Sequence, residues 1–231
     1  MRTWNDHSDI KKYDKHAILG ASKSSWIDKD DDQVLITWAR GYSQVLGTAM
    51  HELAEYHIRY RYKVNKSLRN EIRLQLISRY HIPEAAIDIG FEWELLYENW
   101  MVYVNDGISY RLDPEVPLKY SEIVFGTADA VTPLNAIAKS NKIRIHDYKS
   151  GVSPVHISQL LTYDALLCLE YDLRPGDYEH TLCFYQLKKN EDDILVPTIT
   201  TYIPTTDEIA HVMDEAKYKS DLISRRILGE E

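Results

Sequence analysis

The chain has 231 residues with 44% hydrophobic content, which predicts one domain with a sizeable core and helical additions. It contains 36 acidic and 27 basic residues, for a net charge of −9. The polar arm at residues 1–15 has no apolar stretch typical of a signal peptide, and no run is long enough to span a membrane. Cys168 and Cys183 lie in apolar segments, as reduced core thiols do. We therefore expect a cytoplasmic protein without a membrane partner.

The first half of the chain predicts helices. Apolar residues recur every three or four positions through residues 34–62, as in one or two amphipathic helices. A further helix is predicted at residues 66–81. Pro83 then begins a third helix, which we expect to end at about Asn105, where Asn-Asp-Gly follows.

The second half predicts three strands, a helix, two strands and a last helix. β-Branched residues that alternate with polar ones indicate the strands. The turn out of the second strand is expected at Thr-Pro-Leu-Asn, residues 132–135, and the last helix begins with a capping box, Thr-Thr-Asp-Glu. The predicted strands are 108–118, 122–131, 142–149, 181–187 and 194–203, and the predicted helices are 155–171 and 205–228. This order predicts an α/β fold with a mixed sheet flanked by helices.

Two charged side chains end the third predicted strand. Asp147 and Lys149 lie two residues apart, so they emerge on the same side of the strand. A carboxylate binds a hard divalent cation, and a neighbouring lysine positions or deprotonates an attacking water. The pair therefore fits phosphodiester hydrolysis. The alternative is a surface ion pair at a strand edge.

A second aspartate, Asp129, ends the preceding strand. Gly126, three residues before it, allows another part of the chain to approach closely. If the two strands are neighbours, Asp129 and Asp147 reach the same metal ion.

Four short motifs in a fixed order carry a resemblance to a known family. They are Gly47-Thr-Ala-Met-His51, Gly126-Thr-Ala-Asp129, Asp147-Tyr-Lys149-Ser-Gly and Gln159-Leu-Leu-Thr-Tyr163. In this order they resemble the RecB-type branch of the PD-(D/E)XK nuclease superfamily, which includes phage and CRISPR-associated exonucleases. The resemblance covers about residues 45–170. It implies a restriction-endonuclease-like core, with a mixed central β-sheet flanked by helices and an N-terminal helical addition.

The resemblance also implies a metal centre. One or two Mg²⁺ or Mn²⁺ ions are expected on His51, Asp129 and Asp147, with the backbone carbonyl of Tyr148 and the carboxylate of Glu115 as further ligands. An imidazole among oxygen ligands shifts the preference towards Mn²⁺. From the residues alone, His51 also fits a packed or surface histidine.

Three further side chains complete the implied catalytic set. Lys149 acts on the attacking water, while Gln159 and Tyr163 contact the DNA backbone or support the lysine. The alternative for Gln159 and Tyr163 is a structural role on their helix. Some members of the family hold an iron–sulfur cluster on four cysteines; since this chain has two, no such cluster is expected.

The expected partner is linear DNA, single- or double-stranded, although a net charge of −9 opposes phosphate binding. A basic run forms either a phosphate-facing strip or the solvated faces of a helix pair: Arg59, Arg61, Lys63, Lys66, Arg69 and Arg73. An aromatic row at helical spacing either stacks bases or packs in the core: Trp93, Tyr97 and Trp100.

The sequence thus predicts a single nuclease domain over residues 1–231. Its core is expected at 45–62 and 108–204, with a helical insert at 64–106 and a C-terminal helix at 205–228. The expected activity is a Mg²⁺- or Mn²⁺-dependent deoxyribonuclease, an exonuclease on linear ends in recombination, repair or phage DNA processing; the resemblance also allows a homo-oligomer. The alternatives are a structure-specific endonuclease and a non-catalytic DNA-binding module with the same fold.

Overall fold

The structure is a computed structural model that describes residues 17–228, so the predicted arm at residues 1–15 lies outside it. The helices are α1 (Asp31–Arg40), α2 (Ser43–Arg59), α3 (Arg69–Ser78), α4 (Glu84–Gly90), α5 (Trp93–Ser109), α6 (Leu134–Ser140), α7 (Ile157–Glu170) and α8 (Thr206–Leu228). The strands are β1 (Asp113–Lys119), β2 (Phe125–Val131), β3 (Lys142–Tyr148), β4 (Glu179–Lys189) and β5 (Leu195–Tyr202). Short 3₁₀ turns occupy Ala21–Trp26, Lys66–Leu68 and Pro175–Asp177.

The five strands form one mixed sheet in the order β1-β2-β3-β4-β5. Strands β3 and β4 are parallel, and the other neighbouring pairs are antiparallel. Helix α7 makes the crossover that a parallel pair requires. The predicted α/β fold with a mixed sheet flanked by helices is therefore confirmed.

Each face of the sheet carries its own hydrophobic core. Helices α2 and α5 cover one face, and helices α7 and α8 cover the other. The aromatic row of α5 is buried in the first core, which confirms that it packs there: Trp93, Tyr97 and Trp100. Both cysteines are buried free thiols, as predicted, one in each core.

The predicted helix from Pro83 to Asn105 is wrong, because two helices occupy that segment. Helix α4 ends at Gly90, and Phe91 is extended, with φ −137° and ψ 142°. A Cβ on Gly90 would lie 2.8 Å from the Cβ of Ala39 in α1. The helix is interrupted where α4 packs tightly against α1, and this contact is visible only in the three-dimensional structure.

The predicted helix end at Asn105 is also wrong. Helix α5 continues through Gly107 to Ser109, so β1 begins at Asp113 and not at 108. A Cβ on Gly107 would lie 2.8 Å from Cδ1 of the buried Ile58 in α2. Gly107 therefore permits close helix packing and does not end the helix.

A short helix, α6, was not predicted. It follows β2 directly, with Pro133 at its N-terminal cap and Asn141 in the left-handed conformation at its C-terminal cap. The turn signal at residues 132–135 was correct as a strand end, but seven residues are too few for a clear helical period.

Helix α8 begins with the predicted capping box. Thr205 Oγ1 accepts a hydrogen bond from the backbone N–H of Glu208 at 3.2 Å, and the Glu208 carboxylate accepts one from the Thr205 N–H at 2.8 Å. The helix has 23 residues. Neither α8 nor any other helix within residues 17–228 combines the length and apolar character needed to cross a membrane.

Candidate active site

The candidate site lies where β2 and β3 separate. These strands pair only through Ala130 with His146 and Val131 with Ile145. Beyond that point, the backbone N–H of Tyr148 donates to Asp129 Oδ2 at 2.8 Å. A carboxylate thus replaces a neighbouring strand as the hydrogen-bond acceptor. The divergence brings the ends of the two strands that carry Asp129 and Asp147 to one place, as the sequence predicted.

Three of the predicted metal ligands converge beside this gap. His51 Nδ1 from α2 lies 3.4 Å from Asp129 Oδ2 and 3.9 Å from Glu115 Oε1. One potential ligand atom from each residue falls within 4.8 Å of the others, and all three residues are half-buried. Two carboxylates and an imidazole suit Mn²⁺ or Mg²⁺. The donor set therefore fits the ion that the resemblance implies.

Glu115 reaches this cluster through an unusual backbone. It lies between register pairs that place it opposite Asp129, in the middle of β1. Its φ is 51°, in the left-handed region that side chains other than Gly, Asn and Asp rarely adopt. Such strain persists only where the surrounding structure holds it, and it concentrates at functional sites.

Asp147 and Lys149 form an ion pair next to the three-residue cluster. Lys149 Nζ lies 3.1 Å from Oδ1 and 2.9 Å from Oδ2 of Asp147, whose side chain is 1% exposed. Gln159 Nε2 donates to Asp147 Oδ1 at 3.2 Å, and Tyr163 Oη accepts from Gln159 at 3.5 Å. Asp147 is thus held by Lys149 and Gln159 and is not one of the three clustered donors. The remaining predicted residues, Gln159 and Tyr163, face it from α7.

Two glycines allow these elements to approach closely. A Cβ on Gly126 would lie 2.9 Å from Cε1 of Tyr163, so the glycine admits the tyrosine ring against β2. A Cβ on Gly47 would lie 3.2 Å from Oγ of Ser150, directly after Lys149. Gly47 lies one helical turn before His51 in α2. The loop that follows β3 therefore contacts the same helix close to His51.

Tyr148 contributes its backbone to the site and its side chain to the core. Burial lowers the pKa of the neighbouring His51, and a contact with the Tyr148 backbone opposes that shift in part. The Tyr148 ring is fully buried, stacks on Tyr103 and meets the His51 ring edge-on at 5.7 Å between centroids. The backbone of Tyr148 therefore faces the site, where its carbonyl was predicted to bind metal.

Burial raises the pKa of both aspartates to about 7, compared with an ordinary value of 3.8. The Tyr148 hydrogen bond opposes this shift in Asp129, and the charge of Glu115 adds to it. For Asp147, the charge of Asp129 adds to the effect of burial, while Lys149 opposes it. Burial also raises the pKa of Glu115 and lowers that of His51. Closely spaced, poorly solvated carboxyl groups hold protons at neutral pH, and a bound cation can replace these protons. A neutral imidazole beside them is free to bind the same cation.

A surface cleft of about 360 Å³ opens onto the three-residue cluster. Besides His51, Glu115 and Asp129 it is lined by Thr48, Glu52 and Glu55. Glu52 was not predicted. It accepts a hydrogen bond from the hydroxyl of Tyr80 at 2.8 Å. The position of Glu52 next to His51 is visible in the sequence, but its orientation into the cleft is not.

Most of the predicted basic strip is neutralised by the protein's own acids. Arg59 pairs with Glu55 at 2.7 Å, Lys66 with Glu98 at 2.7 Å and Arg73 with Asp88 at 2.7 Å, while Arg69 pairs with Glu94. This pairing favours the alternative of helix faces whose charges are balanced within the protein over a phosphate-facing strip. Arg61 and Lys63 are exposed and form no ion pair within the described residues.

No protein-family model, curated protein or solved structure matches this chain. The chemistry of the site has to be inferred from its own side chains. These provide a metal-binding cluster, an adjoining buried carboxylate and a lysine at the end of a strand.

Proposed function

We propose that this chain is a metal-dependent DNA nuclease with a restriction-endonuclease-like core. One observation carries the proposal: the cluster of His51, Glu115 and Asp129 lies at the same strand divergence as the Asp147–Lys149 pair. A structural ion pair does not need three further metal-binding side chains beside it. A metal site alone does not need a lysine held at the end of a strand.

His51, Glu115 and Asp129 would hold Mg²⁺ or Mn²⁺, with the Tyr148 carbonyl as a further ligand. When bound, such an ion polarises the scissile phosphate and lowers the pKa of a bound water. The half-exposed Lys149 donates hydrogen bonds towards the developing negative charge and orients the attacking water. The backbone N–H of Lys149 donates to the Tyr185 carbonyl of β4 at 2.8 Å, which fixes the start of this side chain.

Asp147 and Gln159 position the lysine. Gln159 donates a hydrogen bond to Asp147 Oδ1, and the same carboxylate binds Lys149 Nζ. These contacts restrict the position of the lysine ammonium group. Burial and the charge of Asp129 raise the pKa of Asp147. A cation held by Asp129 would offset the second effect and favour the ionised carboxylate that pairs with Lys149.

The test is degradation of end-labelled linear single- and double-stranded DNA beside closed circular DNA, with Mn²⁺, Mg²⁺ or a chelator. We expect metal-dependent loss of the linear substrates only, reduced about 100-fold or more in Lys149→Gln. Lys142→Gln, at the exposed start of the same strand, is the matched control and should cleave as the wild type does.

Two other outcomes lead to different functions. Cleavage of the circle would make the protein an endonuclease on the same site. DNA binding without cleavage under any metal would replace the proposal with a non-catalytic binding module.

A further inference from the structure

Three exposed tyrosines cluster near the C-terminal end of α2, the helix that carries His51. Tyr56, Tyr60 and Tyr62 are 51%, 56% and 53% exposed. Their ring centroids are 5.0 to 6.1 Å apart, and the Tyr60 and Tyr62 rings are stacked at 23°. We call these residues the tyrosine patch. Half-exposed rings in contact with one another indicate a binding surface.

A cleft of about 450 Å³ lies beside the tyrosine patch and carries three cations, Arg61, Arg111 and Lys139. We call it the basic cleft. Arg61 stands between Tyr60 and Tyr62 in the chain, and its Nη1 donates to the carbonyl of Leu112 at 2.9 Å. The tyrosine patch and the basic cleft therefore adjoin at Arg61.

The cations of the basic cleft differ from the arginines of α2 and α3, which form ion pairs. Among the described residues, no carboxylate oxygen lies within 4 Å of the charged groups of Arg61, Arg111 or Lys139, although Asp113 also lines the cleft. In a chain with 36 acids and 27 bases, three cations that line one cleft with a single acid, Asp113, form a local excess of positive charge. They complement a polyanion.

Both arginines occupy strained positions. Arg61 has φ 59° and Arg111 has φ 57°, each just after a helix end. Gly or Asn is favoured at such positions because another side chain costs about 1 kcal/mol there. The chain therefore places an arginine at each of these two helix ends, and both arginines line the basic cleft.

The surface lies a short distance from the candidate metal cluster. Asp113 of the cleft is two strand residues from Glu115, or about 7 Å. Arg59, the last residue of α2, is eight helical residues from His51, or about 12 Å, and Arg61 follows two residues later. A DNA strand bound on this surface would therefore pass within a few nucleotides of the candidate metal cluster.

We propose that this surface binds a single strand of DNA, with its phosphates in the basic cleft and its unpaired bases on the tyrosine patch. The proposal rests on the proposed nuclease function, because it assigns the strand that is cleaved. Stacking on tyrosines requires bases free of a complementary strand, whereas a duplex presents only its backbone and grooves.

The charge test uses the triple variant Arg61→Asn, Arg111→Asn and Lys139→Gln, because Asn tolerates the left-handed backbone. Binding of labelled single-stranded DNA is measured by anisotropy in chelator, over a range of salt concentrations. We expect affinity about tenfold or more lower, and a slope of log affinity against log salt about 2 smaller, for three lost contacts.

The matched control is Lys217→Gln, Lys219→Gln and Arg225→Gln, which removes the same charge from exposed or half-exposed positions of α8 that do not line the basic cleft. Equal behaviour of the two triple variants would overturn the proposal. The single variant Lys139→Gln alters an exposed helix position only, and it should show part of the loss even if the triple variant folds poorly.

The stacking test compares Tyr56→Leu/Tyr60→Leu with Tyr218→Leu, an exposed tyrosine of α8. We expect the double variant to lose about tenfold affinity for a natural single strand and none for an abasic strand of equal length. Equal losses for both strands would overturn the stacking role. A wild-type dimer that the double variant dissociates would assign the patch to a second copy of the chain and overturn the proposal.

Failure of the two proposals can be told apart, because cleavage is measured separately on the wild type with Mn²⁺. If the protein binds DNA through the basic cleft but does not cleave it, the strand-binding proposal is supported and the nuclease proposal is refuted. Cleavage by the wild type, together with equal DNA affinity of the two triple variants, would support the nuclease and overturn the strand-binding surface.

Discussion

The carboxylate of Asp129 and the backbone of Tyr148 are joined by a 2.8 Å hydrogen bond in which a side chain takes the place of a missing strand partner. Because β2 and β3 diverge there, Asp129 has a structural task in addition to the metal binding that we propose for it. It satisfies a buried N–H with one oxygen and borders His51 with the same carboxylate.

The two tasks of Asp129 can be separated by substitution. Asp129→Asn keeps an oxygen for the Tyr148 N–H but removes the charge, so we expect near wild-type stability with loss of metal-dependent cleavage. Asp129→Ala leaves the N–H without its acceptor and should lose about 1 to 3 kcal/mol of unfolding free energy as well. Urea denaturation and DNA cleavage distinguish the two variants. Equal stabilities would show that the hydrogen bond contributes little.

The left-handed backbone at Glu115 predicts that glycine is more stable than valine at this strand position. Valine is favoured in strands and glycine is disfavoured. At φ 51°, however, Glu115→Val should destabilise the protein by about 1 to 2 kcal/mol relative to Glu115→Gly. Both variants should lose metal affinity, measured by Mn²⁺ titration. If the valine variant is the more stable one in urea denaturation, the left-handed conformation is refuted.

Gly126 is predicted to control the position of Tyr163. An alanine there would place its Cβ 2.9 Å from the tyrosine ring, so Gly126→Ala should displace Tyr163 and, through it, Gln159. We expect DNA cleavage to fall about tenfold while the protein remains folded. Gly176→Ala is the control, because its Cβ would make an ordinary 3.6 Å contact with Thr206. Equal cleavage by both variants would contradict a role for this packing.

The raised pKa values of Asp129 and Asp147 predict how stability depends on pH. Both are about 7 in the folded protein and 3.8 ordinarily, so between these values the folded state binds protons that the unfolded state releases. In chelator, the unfolding free energy should therefore fall as pH rises from about 4 to about 7. Mn²⁺ should reverse this fall, since it replaces the protons. Asp147→Asn should flatten the profile in chelator, and a wild-type profile without slope would contradict the shifts.

A buried histidine adds a separate pH dependence. His180 Nδ1 lies 2.8 Å from Asp164 Oδ2, and Nε2 lies 3.0 Å from the Pro175 carbonyl. Burial lowers the pKa of His180, but the hydrogen bond and charge of Asp164 outweigh burial and raise it above 6.5. Its stabilisation is thus present below pH 6.5 and lost as pH rises through the higher folded value. The loss should persist with Mn²⁺ and disappear in His180→Gln; recovery with Mn²⁺ would assign it to the metal cluster.

Local sequence patterns predicted most elements correctly, and their failures have physical causes. Alternation placed β3 within one residue, and the Thr-x-x-Glu capping box marked the start of α8. The roles of Gly90 and Gly107 were predicted wrongly, because the structural role of a glycine depends on the residues that pack against it. Neither Ala39 nor Ile58 is near these glycines in the chain.

The sequence by itself determined the composition of the candidate site. The types and order of His51, Asp129, Asp147, Lys149 and Gln159 carried the resemblance from which metal and phosphate chemistry was predicted before any contact was known. Only the tertiary structure decided how these side chains divide into a three-residue cluster and a lysine–carboxylate pair. It also decided which arginines are neutralised and which remain in the basic cleft. The reason is that residue type and local period are properties of neighbours in the chain, whereas pairing, burial and backbone strain arise from elements that meet only after folding.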